Sequence, residues 1–114
     1  MHVHYLEIVT LDVDAVCKSY ESFAQVHFGA CDPGLGNART ASLADGSMIG
    51  VRLPMADWEA PIVRPYYLVS NIDHALERIV ESGGEIAHPP LDIPGHGTFA
   101  IYILGDNNHG LWQL

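Results

Sequence analysis

Two stretches of the chain follow one pattern, and this internal repeat restricts the possible fold more than any other feature. Pro33-Gly34-Leu35-Gly36 recurs 61 residues later as Pro94-Gly95-His96-Gly97. Asp12-Val13-Asp14 recurs 59 residues later as Asn71-Ile72-Asp73. Nearly equal shifts at both ends predict two versions of one supersecondary unit, and such units usually complete each other's buried core.

Each copy is predicted to run strand, helix, strand, strand, strand. Apolar residues recur at spacings of three and four after Asp12 in the first copy and after Asn71 in the second, which predicts one helix in each. Asp45-Gly46 suits a tight hairpin, and Gly83-Gly84 is expected to end the second helix. The predicted strands are 3–9, 26–30, 38–43 and 48–53, then 64–70, 85–88, 99–104 and 110–114. The prediction is one domain, 1–114, with pseudo-repeats 1–53 and 64–114 and a linker at 54–63.

Charge and composition exclude several classes of partner. The chain has 114 residues and a formal net charge of −9, with only five Lys and Arg residues in total. Nucleic acid is therefore not an expected partner, because phosphate contacts need clustered cations. No apolar run approaches the roughly 20 residues that span a bilayer, so no membrane partner is expected. Two cysteines and no secretory-type leader predict a cytoplasmic protein.

The tandem β-α-β-β-β pattern, with the ending Asp106-Asn107-Asn108-His109-Gly110-Leu111-Trp112-Gln113-Leu114, resembles the vicinal oxygen chelate superfamily. That superfamily includes glyoxalase I, extradiol dioxygenases and bleomycin resistance proteins. The resemblance implies an α+β fold in which each unit is a curved mixed sheet with one helix on its convex side, forming a cleft. It implies either small-molecule binding or lyase, isomerase or dioxygenase chemistry. It also implies a homodimer, for which Met55 and Trp58 of the linker offer an apolar contact.

The positions that hold a divalent metal in that superfamily match four residues here: Tyr5, Arg52, Arg64 and Gln113. Arginine has no lone pair to give a cation, so neither a metal nor another cofactor is expected at this place. An unconventional metal site remains as an alternative, with His2 and His4 on one strand face as ligands beside Glu7. The competing interpretation leaves both histidines at a strand end facing solvent or the helix layer.

Strand alternation predicts which side chains line the cleft. Leu6 and Ile8 form the apolar pair under a helix, which turns Tyr5 and Glu7 to the opposite face. The same argument places Phe99, Ile101 and Ile103 on the helix side. It predicts that the ligand-binding residues are Arg39, Met48, Arg52, Arg64, Tyr102, Leu111 and Gln113. Tyr66, Leu68 and Ala41 are expected beside them. Arginine forks suit carboxylate or phosphate, and aromatic walls suit a planar or apolar body.

Several functions follow from this lining. The preferred hypothesis is a metal-independent protein that binds an anionic, partly apolar small molecule, for example a carboxylate. If the protein is an enzyme, Glu7 is the best general base and Tyr5 or Tyr66 the best acid, with an arginine stabilising an enolate. A metal-dependent enzyme is the third hypothesis. Alternatively, Glu7 simply pairs with Arg52 or Arg64 in a wet groove that has no ligand.

Overall fold

The computed structural model describes residues 1–114 and confirms the β-α-β-β-β order in both halves. The elements are β1 (Val3–Val9), α1 (Val13–Ala24), β2 (Cys31–Asp32), a 3-10 turn (Pro33–Leu35), β3 (Ala38–Ser42), β4 (Met48–Arg52), β5 (Ile62–Leu68), α2 (Ile72–Glu81), β6 (Glu85–Ile93), β7 (Gly97–Leu104) and β8 (Asn107–Gln113). The chain divides into a first unit, Tyr5–Val63, and a second unit, Met1–His4 with Arg64–Leu114. Neither helix is long and apolar enough to cross a bilayer.

The strands of the two units follow the same order. In the first unit the order is β2-β3-β4-β1, and in the second it is β6-β7-β8-β5. β1 runs parallel to β4, and β5 runs parallel to β8. The other neighbours are antiparallel. Each unit is therefore a four-stranded mixed sheet with one helix, which confirms the predicted α+β class.

The strand pairing also shows how the two copies correspond. Val9 pairs with Arg52 in the first unit, and Leu68 pairs with Trp112 in the second. Leu68 follows Val9 by 59 positions, the shift of the helix starts, so the counterpart of Arg52 is Trp112, 60 positions later. The sequence prediction matched Arg52 with Gln113 by applying the loop shift of 61 to the closing strands. That match is wrong because the spacing changes by one residue between elements.

In the first unit, α1 covers one sheet face and buries an apolar core. Ile8 and Val51 of the sheet pack with Cys17 of α1, and Leu6 adds to this side. These contacts confirm the prediction that Leu6 and Ile8 lie under the helix. Ala41 belongs to the same cluster, so its predicted place in the cleft is wrong.

In the second unit, the core lies between α2 and the faces of β7 and β8. Leu76 of α2 packs with Ala100, Tyr102 and Leu111 of the sheet. The cleft-facing orientation predicted for Tyr102 and Leu111 is therefore wrong. β7 carries apolar residues on both faces, and the alternation of residue types does not show which face the helix covers. The aromatic contact between Phe99 and Tyr66 places Phe99 on the other face.

The two helix starts differ from each other, and one strand differs from the prediction. Asp12 precedes α1 without a capping hydrogen bond from its side chain. The backbone N–H of Asp12 instead donates to the Thr10 hydroxyl at 3.1 Å. Asn71 does cap α2, since its Oδ1 accepts from the His74 N–H at 3.0 Å. The predicted strand at 26–30 is wrong, and the short strand β2 follows that range at Cys31–Asp32.

Candidate functional site

The face of the first sheet opposite α1 carries Tyr5 and Glu7 of β1 and Met48 and Arg52 of β4. The parallel register places Tyr5 beside Met48 and Glu7 beside Gly50. Gly50 has to be glycine, because a methyl group there would overlap the Tyr5 hydroxyl. The hydroxyl end of the Tyr5 ring therefore lies against the β4 backbone at Gly50, and Tyr5 is 2% exposed. The sequence prediction that these side chains share one face is confirmed.

Arg52 is the centre of this face, and two carboxylates hold it. Its Nε donates to Glu7 Oε2 at 2.9 Å. Its Nη1 and Nη2 donate to the two carboxylate oxygens of Glu59, each at 2.9 Å, and Nη1 also donates to the Leu53 carbonyl at 3.1 Å. Glu59 Oε1 also accepts a hydrogen bond from the Met55 backbone N–H at 2.7 Å. Glu7, Arg52 and Glu59 thus form a network, called here the Arg52 triad.

The Arg52 triad is buried and carries one net negative charge. Its arginine side chain is 5% exposed, and the glutamates are 9% and 16% exposed. The bidentate bond to Glu59 raises the pKa of Arg52 further above its ordinary value, and Glu7 adds to this effect. The guanidinium is therefore permanently charged and already faces two anions. The pairing of Glu7 with an arginine is confirmed, while Glu59 was missed because its segment has no periodic pattern.

The corresponding face of the second unit is aromatic. Tyr66 of β5 lies over Gly110 of β8, where a side chain would overlap its ring. The Tyr66 ring packs edge-on against Trp112, with centroids 5.8 Å apart, and against Phe99 at 6.3 Å. His4 adds a further ring at 5.7 Å from Trp112. These contacts leave a wall of rings where the first unit has its triad.

Arg64 lies on the same strand face as Tyr66, two residues earlier. Its Nη1 donates to the Tyr66 hydroxyl at 3.5 Å, which is long for such a bond. The residue is only 8% exposed. The second unit therefore holds a buried cation next to its aromatic wall, and Arg64, Tyr66, Trp112, Phe99 and His4 are called here the Arg64 face.

Besides Tyr102 and Leu111, two more predicted ligand-binding residues lie on the helix side. Arg39 donates to Asp14 of α1 at 3.1 Å and to the Gly29 carbonyl at 3.2 Å. Gln113 accepts from the Ile72 N–H at the start of α2 at 2.8 Å. Their predicted cleft orientation is wrong for two reasons. Arg39 was placed by its correspondence with Tyr102, whose sheet face was assigned wrongly. Gln113 was placed by a shift that is one residue too long. Arg39 instead borders an open pocket of about 740 Å³ at the start of α1.

The residues at the superfamily's metal positions do not fit a metal ion. Arg52 and Arg64 are cations without a lone pair, and the Gln113 amide oxygen already accepts from a helix N–H. No three His, Cys, Asp or Glu side chains come together elsewhere in a metal-binding arrangement. The rings of His2 and His4 lie 6.5 Å apart between centroids, with His4 against Trp112.

Comparison with known proteins shows the fold. No protein-family model matches the chain, and no curated protein matches it in sequence. Solved structures do match over nearly the whole chain. A hypothetical protein from Bacillus halodurans C-125 has a TM-score of 0.74 and 13% identity, covering 99% of this chain and 94% of that chain. Methylmalonyl-CoA epimerase from Mycobacterium tuberculosis has a TM-score of 0.66 and 16% identity, covering 96% and 85% respectively.

A third match names the superfamily. It is a glyoxalase/bleomycin resistance protein/dioxygenase superfamily member from Vibrio splendidus 12B01, with a TM-score of 0.68 and 13% identity, covering 96% of this chain and 97% of that chain. The chain therefore has the vicinal oxygen chelate fold, which confirms the resemblance that its sequence shows. At these identities the likeness concerns the fold, and the function has to be argued from the residues.

Proposed function

We propose that the protein binds an anionic, partly apolar small molecule without a metal, and that the Arg64 face holds it. The observation that carries this proposal is the arginine of this face, 8% exposed, beside a wall of aromatic rings. A guanidinium offers a planar fork to a carboxylate, while rings offer an apolar surface to the rest of the ligand. Buried cations are costly and tend to occur at functional sites.

Arg52 is given a different role from the one predicted. Its guanidinium already bonds two carboxylates, so an anionic ligand would have to displace a glutamate or approach a network of net negative charge. We assign anion recognition to Arg64, which lies beside the aromatic rings, and a structural role to the Arg52 triad. Met48 lies on the same sheet face as the triad and is not assigned to the ligand.

A thermal-shift screen tests the proposal with benzoate, hexanoate, phenyl phosphate and their uncharged amide or alcohol analogues. A ligand present at a hundred times its Kd stabilises the folded state by about 2.7 kcal/mol, or roughly 10 °C for a chain of this size. We expect a shift with at least one anion and none with its neutral analogue. EDTA should leave the shift unchanged.

Variants of the arginines connect the shift to the site. Arg64→Met keeps the length of the side chain but removes the charge, and it should abolish the shift, while Arg64→Lys keeps part of it. Arg39→Met is the matched control, because Arg39 is paired with Asp14 on the helix side. An equal loss in Arg39→Met, or no shift with any anion, would overturn the assignment.

A proton-transfer enzyme is the second candidate function. It rests on Glu7, a carboxylate 7% exposed on the same strand face as Tyr5, and methylmalonyl-CoA epimerases are among the proteins with this fold. In this reading Glu7 takes the proton of a carbon acid, the electron pair moves into the adjacent carbonyl, and Tyr5 on the same strand face returns a proton to the carbon. Incubation of methylmalonyl-CoA in D2O should then give deuterium uptake, and Glu7→Gln should stop it without loss of binding.

The linker suggests self-association of the chain. Trp58 is 86% exposed and Met55 is 67% exposed, and large apolar side chains are seldom so exposed on a monomer surface. We propose a homodimer in which these residues are part of the contact. Light scattering should give twice the chain mass at micromolar concentration, and Trp58→Ser should reduce it to the monomer mass. A monomer mass for the unaltered chain would contradict this proposal.

A further inference from the structure

The second unit has a groove between α2 and β6 that the proposed ligand site does not use. Its volume is about 480 Å³. The groove is lined by Asp73, Leu76, Glu77, Val80, Glu81, Ile86 and Pro90. Val80 is 50% exposed and Ile86 is 47% exposed. Leu91, on the same edge strand, is 52% exposed. An apolar surface of this kind on an edge element indicates a contact with another molecule.

One rim of the groove is a row of carboxylates. Asp73, Glu77 and Glu81 lie four residues apart on α2, so they share one helix face and span about 12 Å. All three are exposed, and none makes an ion pair or a side-chain hydrogen bond. The only basic residue in the last turn of α2 is Arg78, which does not line the groove.

This arrangement is unfavourable for the helix itself. Like charges four residues apart repel each other on a helix surface. Glu77 and Glu81 also lie near the C-terminal end of α2, where the helix dipole disfavours negative charge. A cationic partner would relieve both effects, and its apolar side chains would cover Val80 and Ile86.

We propose that the α2–β6 groove is a docking site for a cationic amphipathic segment of a partner protein. Lysines or arginines of the segment face Asp73, Glu77 and Glu81, and its apolar residues enter the groove above Leu76 and Val80. A second copy of this chain is a poor occupant, because each copy brings a net charge of −9 and only five basic residues. Complementary charge of this kind sets partner choice and association rate. The proposal does not depend on the ligand site.

The test uses three labelled peptides and fluorescence anisotropy. The first is an amphipathic peptide of leucine and lysine, the second replaces its lysines by glutamate, and the third contains lysine alone. We expect the leucine–lysine peptide to bind most tightly, the lysine peptide to bind more weakly, and the glutamate peptide not to bind. Binding of the first should weaken as salt is added, because the carboxylates are exposed.

Single-residue variants localise the binding. Glu77→Lys should weaken binding of the leucine–lysine peptide roughly tenfold. Val80→Ser should weaken binding of the leucine–lysine peptide several-fold and should leave binding of the lysine peptide unchanged. Asp57→Lys makes the same change in net charge at an exposed linker position and should leave binding within twofold. The melting temperature of Glu77→Lys should equal or exceed that of the unaltered chain, since the repulsion on α2 is removed.

Three results would overturn the proposal. Equal weakening by Asp57→Lys and Glu77→Lys would show that only net charge attracts the peptide. Equal binding of the lysine and leucine–lysine peptides would show that the apolar groove takes no part. Loss of a dimer in light scattering on Val80→Ser would show that a second copy covers the groove.

Discussion

Replacing Arg52 by leucine should destabilise the protein far more than replacing a surface arginine. Arg52 donates four hydrogen bonds to Glu7, Glu59 and the Leu53 carbonyl, and all three side chains of the triad are at most 16% exposed. Arg52→Leu would remove the positive charge that both carboxylates bond, and breaking a buried ion pair in this way costs about 3–5 kcal/mol. For 114 residues the melting temperature should fall by roughly 12–20 °C.

Calorimetry and urea unfolding measure this loss, and two further variants identify its cause. Arg39→Leu breaks an ion pair whose side chains are 28% and 94% exposed, so it should cost no more than about 1 kcal/mol. Replacing Glu7, Arg52 and Glu59 together by methionine removes the buried charges and should restore most of the stability. A cost below about 1 kcal/mol for Arg52→Leu would refute the structural role of the triad, as would a triple variant less stable than the single one.

Three further predictions concern packing and titration. Gly110→Ala should destabilise by about 1–3 kcal/mol in urea unfolding because the Tyr66 ring must move, whereas Gly29→Ala, with no atom nearer than 3.9 Å, should be close to neutral. Ile49→Ala, in the core of the first unit, should cost about 2–5 kcal/mol by the same assay. Burial raises the pKa of the Cys17 thiol above its ordinary 9.0, so the unfolded chain loses the proton first and stability should fall as the pH rises above this value. That alkaline loss should be smaller in Cys17→Ala, and an unchanged loss would contradict the assignment to this thiol.

The repeat made the fold predictable, and the same repeat caused the errors in the site. Helix starts differ by 59 positions between the copies, while the strands carrying Arg52 and Trp112 differ by 60. Successive side chains of a strand point to opposite sheet faces, so an error of one position moves a side chain to the other face. Gln113 was placed on the wrong face in this way. The faces of the β1 side chains were predicted correctly, because Tyr5 and Glu7 alternate with the apolar Leu6 and Ile8.

Glu59 could not be predicted as part of a site, because no local pattern connects it with Glu7 or Arg52. It belongs to an irregular segment, and only the fold brings its carboxylate to the guanidinium. Periodicity describes helices and strands, whereas a contact between a loop and a strand depends on how the chain turns back. The predicted face of Tyr102 was wrong for another reason. β7 carries apolar residues on both faces, so the alternation of residue types does not show which face the helix covers.

The two units use equivalent positions in opposite ways, and this difference explains why one arginine is structural and the other is assigned to a ligand. The position of Arg52 in the first unit corresponds to Trp112 in the second, so a guanidinium in one is a large ring in the other. The first unit neutralises its cation with Glu7 and Glu59, which leaves a closed polar network. The second unit places Arg64 beside the Tyr66 ring, which packs in turn against Trp112. The rings of the second unit offer an apolar surface that the charged triad of the first unit lacks, and this is why we propose the second unit as the site for an anionic ligand with an apolar body.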